Sequence, residues 1–329
     1  MTKGKKKMLI GTGCIAGGAA IIGSVSYVVT KRLAKFALER YVAEGENANS
    51  QKREEIKKNE EFQRYRKEMS RRLQEKEAEE IRMVSHDGIR LAAHWCPHEN
   101  AKRVIIAMHG WRSSWSRDFG MFDEFWHNNN CSVLYVEQRA QNESDGEYMS
   151  FGILERYDCL EWIKWANKRT EEKLPIYLHG ISMGAATVLM TTGFELPENV
   201  CGVIADCGFT SVPAIWKHVV KNRLHIPYSS LAANRTYKKR IHVGTKEYST
   251  KDALSSNKIP VLFIHGEEDD FVPTRMSYEN YECCVAPKQL YVVPGAGHAM
   301  SYYMDCSGYE QVVKDFWEAY YKSKNDQLT

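Results

Sequence analysis

A Gly-x-Ser-x-Gly turn between an apolar run and a helical run constrains this chain more than any other stretch. Gly180-Ile181-Ser182-Met183-Gly184 follows the apolar residues Leu174–Leu178 and opens a helical run, Ala185–Phe194. A sharp strand-to-helix turn lifts a serine hydroxyl above a sheet, and glycines two residues to either side let the backbone crowd there without a Cβ clash. Serine is a weak nucleophile at its own pKa, so it needs a base, an acid to orient that base, and donors for an oxyanion.

The surrounding chain predicts a sheet that can supply them. Ile81–Ser85 and Ile89–Trp95 flank His86-Asp87-Gly88, a hairpin signal. Apolar strand runs then alternate with helical runs: Val104–Met108, helix Phe119–Asn128, Ser132–Glu137, helix Ile153–Asn167, Pro175–Leu178, Val200–Ala205, Val261–Ile264, helix Arg275–Cys283, Gln289–Val293 and helix Gln311–Tyr321. The expectation is an α/β fold, a mostly parallel sheet with an antiparallel N-terminal hairpin and helices on both faces. Residues 210–254, between the sixth and seventh strands, are too long for a tight connection and read as a helical cap. Ligands of such sheets bind at the carboxyl ends of the strands.

Those ends carry the candidates. His109-Gly110-Trp111 follows the first parallel strand, and the backbone amides of Trp111 and Met183 are placed to be oxyanion donors. His265-Gly266-Glu267-Glu268-Asp269-Asp270 and Pro294-Gly295-Ala296-Gly297-His298 follow the last two strands. Asp269, Asp270 and Asp206 compete as the acid, and each also suits a turn or loop-bonding role. His109, His179 and His265 precede glycines at strand ends and read as hydrogen-bonding or packing residues. Trp111, with Trp216 and Tyr228 of the cap, is expected to line a substrate pocket.

The chain of 329 residues has room for one large domain with appendages, and a net charge of +3 gives no sign of a nucleic-acid partner. Nine cysteines lie mostly in apolar runs without a C-x-x-C, so they read as small hydrophobes rather than a disulfide framework, and no Cys/His cluster has zinc spacing. No metal is expected. Lysines at 3, 5, 6 and 7 precede the uncharged run Met8–Val29, which is long enough to cross a hydrocarbon core of about 30 Å. Residues 1–30 therefore predict an uncleaved single-pass membrane anchor at the cell membrane, with a cleaved signal and secretion as the alternative. Basic residues flank both ends, so sidedness is undetermined. Residues 31–79 alternate acid with base and read as a solvated helical stalk, leaving 80–329 as the globular domain.

These motifs, with Glu137-Gln138-Arg139-Ala140-Gln141-Asn142-Glu143-Ser144-Asp145-Gly146, resemble the α/β-hydrolases of the serine-hydrolase superfamily, near the bacterial esterase, lysophospholipase and serine-aminopeptidase-like branch. The likeness runs from about Glu80 to Lys322 and departs where Gln141-Asn142 replaces the family's His-Gly. It implies Ser182 as nucleophile, His298 as general base and Asp269 as orienting acid, with no cofactor. The implied reaction is hydrolysis of a small-molecule or lipid carboxylic ester, acyl or lysophospholipid-type. A peptidase or amidase using the same triad is the alternative.

Overall fold

The computed structural model describes residues 23–42 and 56–321. Eight strands form one sheet in the order β1-β2-β4-β3-β5-β6-β7-β8. They are β1 Glu79–Val84, β2 Arg90–Cys96, β3 Arg103–Met108, β4 Cys131–Glu137, β5 Ile176–Ile181, β6 Val200–Asp206, β7 Val261–Gly266 and β8 Lys288–Val293. The hairpin β1–β2 and the pair β2–β4 are antiparallel, and every later pair is parallel. This is the expected sheet. Its central strands read as unbroken apolar runs because both faces are covered. In β3, Ile105 and Ala107 face one apolar cluster with Phe119, Trp126 and Trp317, whereas Val104, Ile106 and Met108 face another with Trp162, Leu178 and Val203.

In chain order the helices are α1 (23–38), α2 Ile56–Gln74, α3 Trp115–Phe119, α4 Asp123–Asn128, α5 Glu155–Arg169, α6 Met183–Thr191, α7 Val212–Lys217, α8 Ser230–Ile241, α9 Thr250–Leu254, α10 Arg275–Cys283, α11 Ser301–Met304 and α12 Cys306–Ala319. The helices α7–α9 occupy the expected insertion between β6 and β7. Ser211, Ser229 and Ser249 cap them, each side-chain oxygen accepting a backbone N–H of the first turn.

The N-terminal expectations require correction. Among the described residues no helix is long and apolar enough to cross a membrane, which overturns the transmembrane anchor and the cell-membrane placement drawn from it. Residues 8–22 of the apolar run lie outside the described residues. The remainder enters α1, which turns basic at Lys31, Arg32 and Lys35 and buries Ala34, Ala37 and Leu38 against an apolar cluster containing Met183, Phe209 and Trp216. Thr30 Oγ1 accepts the Ser229 amide at 3.0 Å, which ties α1 to the insertion.

The charged segment likewise does not stand clear of the domain. Phe62 and Leu73 of α2 are 2% and 1% exposed, and Met69 and Tyr65 pack beside them. The helix lies so close to Gly120 that a Cβ there would meet Met69 O at 2.5 Å. The apolar positions 62, 65, 69 and 73 form one helical stripe, obscured in the sequence by the charges on the other faces.

Candidate active site

Ser182 sits between β5 and α6 with φ 55° and ψ −112°, a conformation that β-carbon sterics disfavour in non-glycine residues. Its amide donates to Asp206 O at 2.8 Å, pinning the turn to the end of β6. A Cβ at Gly184 would lie 1.8 Å from Met108 O, so the helix packs on β3 only through glycine.

The structure brings the loops after β7 and β8 to this turn. His298 Nε2 lies 3.0 Å from Ser182 Oγ, and His298 Nδ1 lies 2.7 Å from Asp269 Oδ2. Asp269 also forms the turn it belongs to, since Oδ1 accepts the amides of Phe271 and Val272 at 3.0 and 2.9 Å. The bond to His298 and the turn are thus carried by opposite oxygens of one carboxylate. Burial opposes ionisation of Asp269, but the charge of His298 and hydrogen bonds from His265 and His298 hold it well below the usual carboxylate range. Burial likewise opposes the His298 cation, and the Asp269 carboxylate outweighs it, raising the imidazole above 6.5.

The other acids lie elsewhere. Asp206 is buried and pushed up to about 6 by that burial, and it accepts from Ser301 Oγ at 3.1 Å. Asp270 is exposed, with its Oδ1 3.8 Å from Arg223 Nη1. His265 is fully buried, with Nε2 3.2 Å from Asp269 Oδ2 and Nδ1 2.6 Å from Ser277 Oγ. It buttresses the acid, a role that its position before Gly266 suggests only as generic hydrogen bonding. His109 pairs with Glu137 at 2.9 Å and His179 with the Tyr309 hydroxyl at 3.0 Å.

A cavity of about 820 Å³ is lined by Ser182, His298, Trp111, Ile181, Phe271 and neighbouring loop residues. The Trp111 amide has no acceptor among the described residues, and that of Met183 is an end donor of α6, so both are available. Trp111 lines the cavity, its indole N–H donating to Ala37 O of α1 at 2.9 Å. Trp216 and Tyr228 do not line it. Trp216 is buried and donates to the Tyr237 hydroxyl at 3.0 Å, and Tyr228 packs on the same apolar cluster. An aromatic residue in an insertion can face inward or outward, and the apolar face of α7 decided the matter here.

Three further contributors were not legible in the chain. Asp118 is buried beside the turn, accepting from Gly110 N at 2.7 Å and Ser113 Oγ at 2.6 Å while pairing with Arg66 of α2. Burial opposes its ionisation, but Arg66 and His109 hold its pKa down. Gln141 and Asn142, where the sequence departs from the family loop, brace the same strand end: Gln141 Oε1 accepts the Arg112 amide at 2.7 Å, and Asn142 Nδ2 donates to Ser113 O at 2.8 Å.

No protein-family model matches the chain. The uncharacterised protein YqkD of Bacillus subtilis (strain 168) is 27% identical over 229 residues, covering 68% of this chain and 73% of that protein. The esterase Pf2001 of Pyrococcus furiosus superposes with a TM-score of 0.63 at 22% identity, covering 78% of this chain and 94% of that one. The acylaminoacyl peptidase of Pyrococcus horikoshii gives a TM-score of 0.58 at 16% identity, covering 75% of this chain and 42% of that one. By its sheet order, its serine turn and these likenesses, the chain has the α/β-hydrolase fold.

Proposed function

We propose that this protein is a serine hydrolase of carboxylic esters. The observation that carries the reading is the line of hydrogen bonds from Asp269 through His298 to Ser182, set on a strained turn at the floor of a cavity. Ser182 Oγ attacks the acyl carbon as its proton passes to His298 Nε2, while Asp269 holds the proton on Nδ1 and stabilises the imidazolium. The carbonyl oxygen takes the electron pair and accepts from the Trp111 and Met183 amides, each such donor being worth about 3 kcal/mol. Collapse of this intermediate expels the alcohol, which leaves with the proton from His298. Water, deprotonated by the same imidazole, then releases the acid from the acyl-enzyme.

Esters are favoured over amides by the extent of the likenesses. The esterase is covered over 94% of its length at a TM-score of 0.63, and the peptidase superposes less well, at 0.58. The test is covalent labelling by a fluorophosphonate probe together with turnover of p-nitrophenyl esters and aminoacyl anilides. Wild type is expected to label and to prefer the esters, and Ser182→Ala to lose both properties. Wild-type turnover by Ser182→Ala would refute the assignment, and faster anilide cleavage would favour an amidase.

A further inference from the structure

The cavity over Ser182 is not an apolar acyl slot. Arg66, Arg112, Arg117 and Arg223 all line it, and the acids among its lining residues are Asp118, Glu268 and Asp270. These charges are distributed unevenly. Glu268 and Asp270 belong to the loop after β7, and Arg223 of the insertion faces Asp270. On the wall formed by α2 and the Trp111–Arg117 segment, three guanidinium groups, those of Arg66, Arg112 and Arg117, have one carboxylate among them. Asp118 is already committed to Arg66, the Gly110 amide and the Ser113 hydroxyl.

Arg117 is exposed, and its side chain makes no hydrogen bond or ion pair among the described residues. Arg66 is fixed beside it, donating from Nε to the Arg117 carbonyl at 3.0 Å. Repulsion from Arg66 is the largest influence on the Arg117 guanidinium and lowers its proton affinity, against an opposing attraction from Asp118. A third guanidinium, Arg112, lies 3.9 Å from the Phe36 ring with its buried Nε lacking a partner. This wall adjoins the reacting groups, because a Cβ on Gly110 would lie 3.3 Å from Asp118 Oδ2 and 3.5 Å from Ser182 Cβ.

We propose that the substrate is an ester bearing an anionic group, a carboxylate or a phosphate, which docks against Arg117 and Arg66 while its acyl carbon meets Ser182. The proposal rests on the reading of Ser182 as nucleophile. A planar, always-charged guanidinium fork matches the oxygen pairs of both anions, and an anion beside Arg117 offsets the repulsion that Arg66 exerts on it. An uncharged chain on that wall would have to displace water from Arg117 with nothing offered in return.

Two matched pairs of substrates test this on the full chain. One sets p-nitrophenyl hemisuccinate against p-nitrophenyl butyrate, and the other sets an acylglycerol phosphate against the acylglycerol with the same chain. The first pair reads a carboxylate and the second a phosphate. The anionic member of at least one pair is expected to show a kcat/KM about tenfold or more above its neutral match, with the advantage shrinking as ionic strength rises. Arg117→Gln should cut that anionic-to-neutral ratio about tenfold, and Arg117→Glu should invert it. Ratios near one in both pairs, or a ratio that neither variant moves, would overturn the inference while fluorophosphonate labelling and neutral-ester turnover keep the hydrolase reading. Loss of labelling and of all ester turnover in wild type would overturn both.

Discussion

Replacing Asp269 with Asn isolates the electrostatic part of the site. The turn should survive, because an amide oxygen can still accept from the Phe271 and Val272 amides that Oδ1 now holds at 3.0 and 2.9 Å. What disappears is the charge 2.7 Å from His298 Nδ1. When His298 takes the serine proton, its cation forms with about 4 Å between charge centres, an attraction of about 4 kcal/mol at an effective dielectric constant near 20. At about 1.36 kcal/mol per factor of ten, that loss slows acylation roughly a thousandfold. The amide can also turn its NH2 to Nδ1 and so favour the tautomer whose Nε2 cannot accept a proton, bringing the total to about 10⁴. The pH profile supplies a second readout. The base works only when neutral, so wild-type kcat/KM should rise with pH through an acid limb lying above 6.5, because Asp269 raises the His298 pKa. In Asp269→Asn the largest upward pull is gone while burial and the lesser pulls of Asp206 and Asp118 remain, so the limb of the residual activity should move to lower pH. Stopped-flow or steady-state ester hydrolysis from pH 5 to 9 measures both quantities. Activity within tenfold of wild type with an unmoved acid limb would refute the triad.

Two substitutions test the packing that positions the site. Gly184→Ala puts a Cβ where Met108 O already stands 1.8 Å away, so α6 must lift from β3; a loss of about 3 kcal/mol by urea denaturation and loss of probe labelling are expected. Phe62→Ala should cost about 3 kcal/mol, because the ring is 2% exposed beneath Tyr303 at a centroid distance of 5.1 Å; a change below about 0.5 kcal/mol would mean that α2 does not pack on the domain in solution.

Docking of α2 and α1 makes segments outside the sheet part of the cavity. Arg66 reaches it from α2, and Ala37 of α1 holds the Trp111 indole. Trp111 is thereby fixed from two sides, by its own strand end and by α1, with the Phe36 and Phe151 rings at 6.4 and 6.2 Å. Loosening of α1 would free the loop that carries the Trp111 amide, which links this N-terminal helix to the candidate site.

The features that sequence alone determined are those fixed by short-range rules. Apolar runs of strand length alternating with helical periodicity dictate a parallel sheet, because each crossover must return along a covered face. Glycines around Ser182 specify a turn too tight for side chains, and Asp269 and His298 were legible as candidates because each follows a strand whose carboxyl end points to one edge. Tertiary structure decided the rest, through which face of an amphipathic element finds a partner. Four apolar positions on α2 were outnumbered by charges, yet burial of Phe62 and Leu73 outweighs many solvated ion pairs, each worth a few tenths of a kcal/mol. The inward turn of Trp216, the pairing of Asp118 with Arg66, and the placing of Arg117 beside Arg66 likewise depend on neighbours far away in the chain. Local spacing fixes which residues end strands; only the packed molecule fixes which of them share a cavity, because burial and charge pairing are properties of the assembled surface.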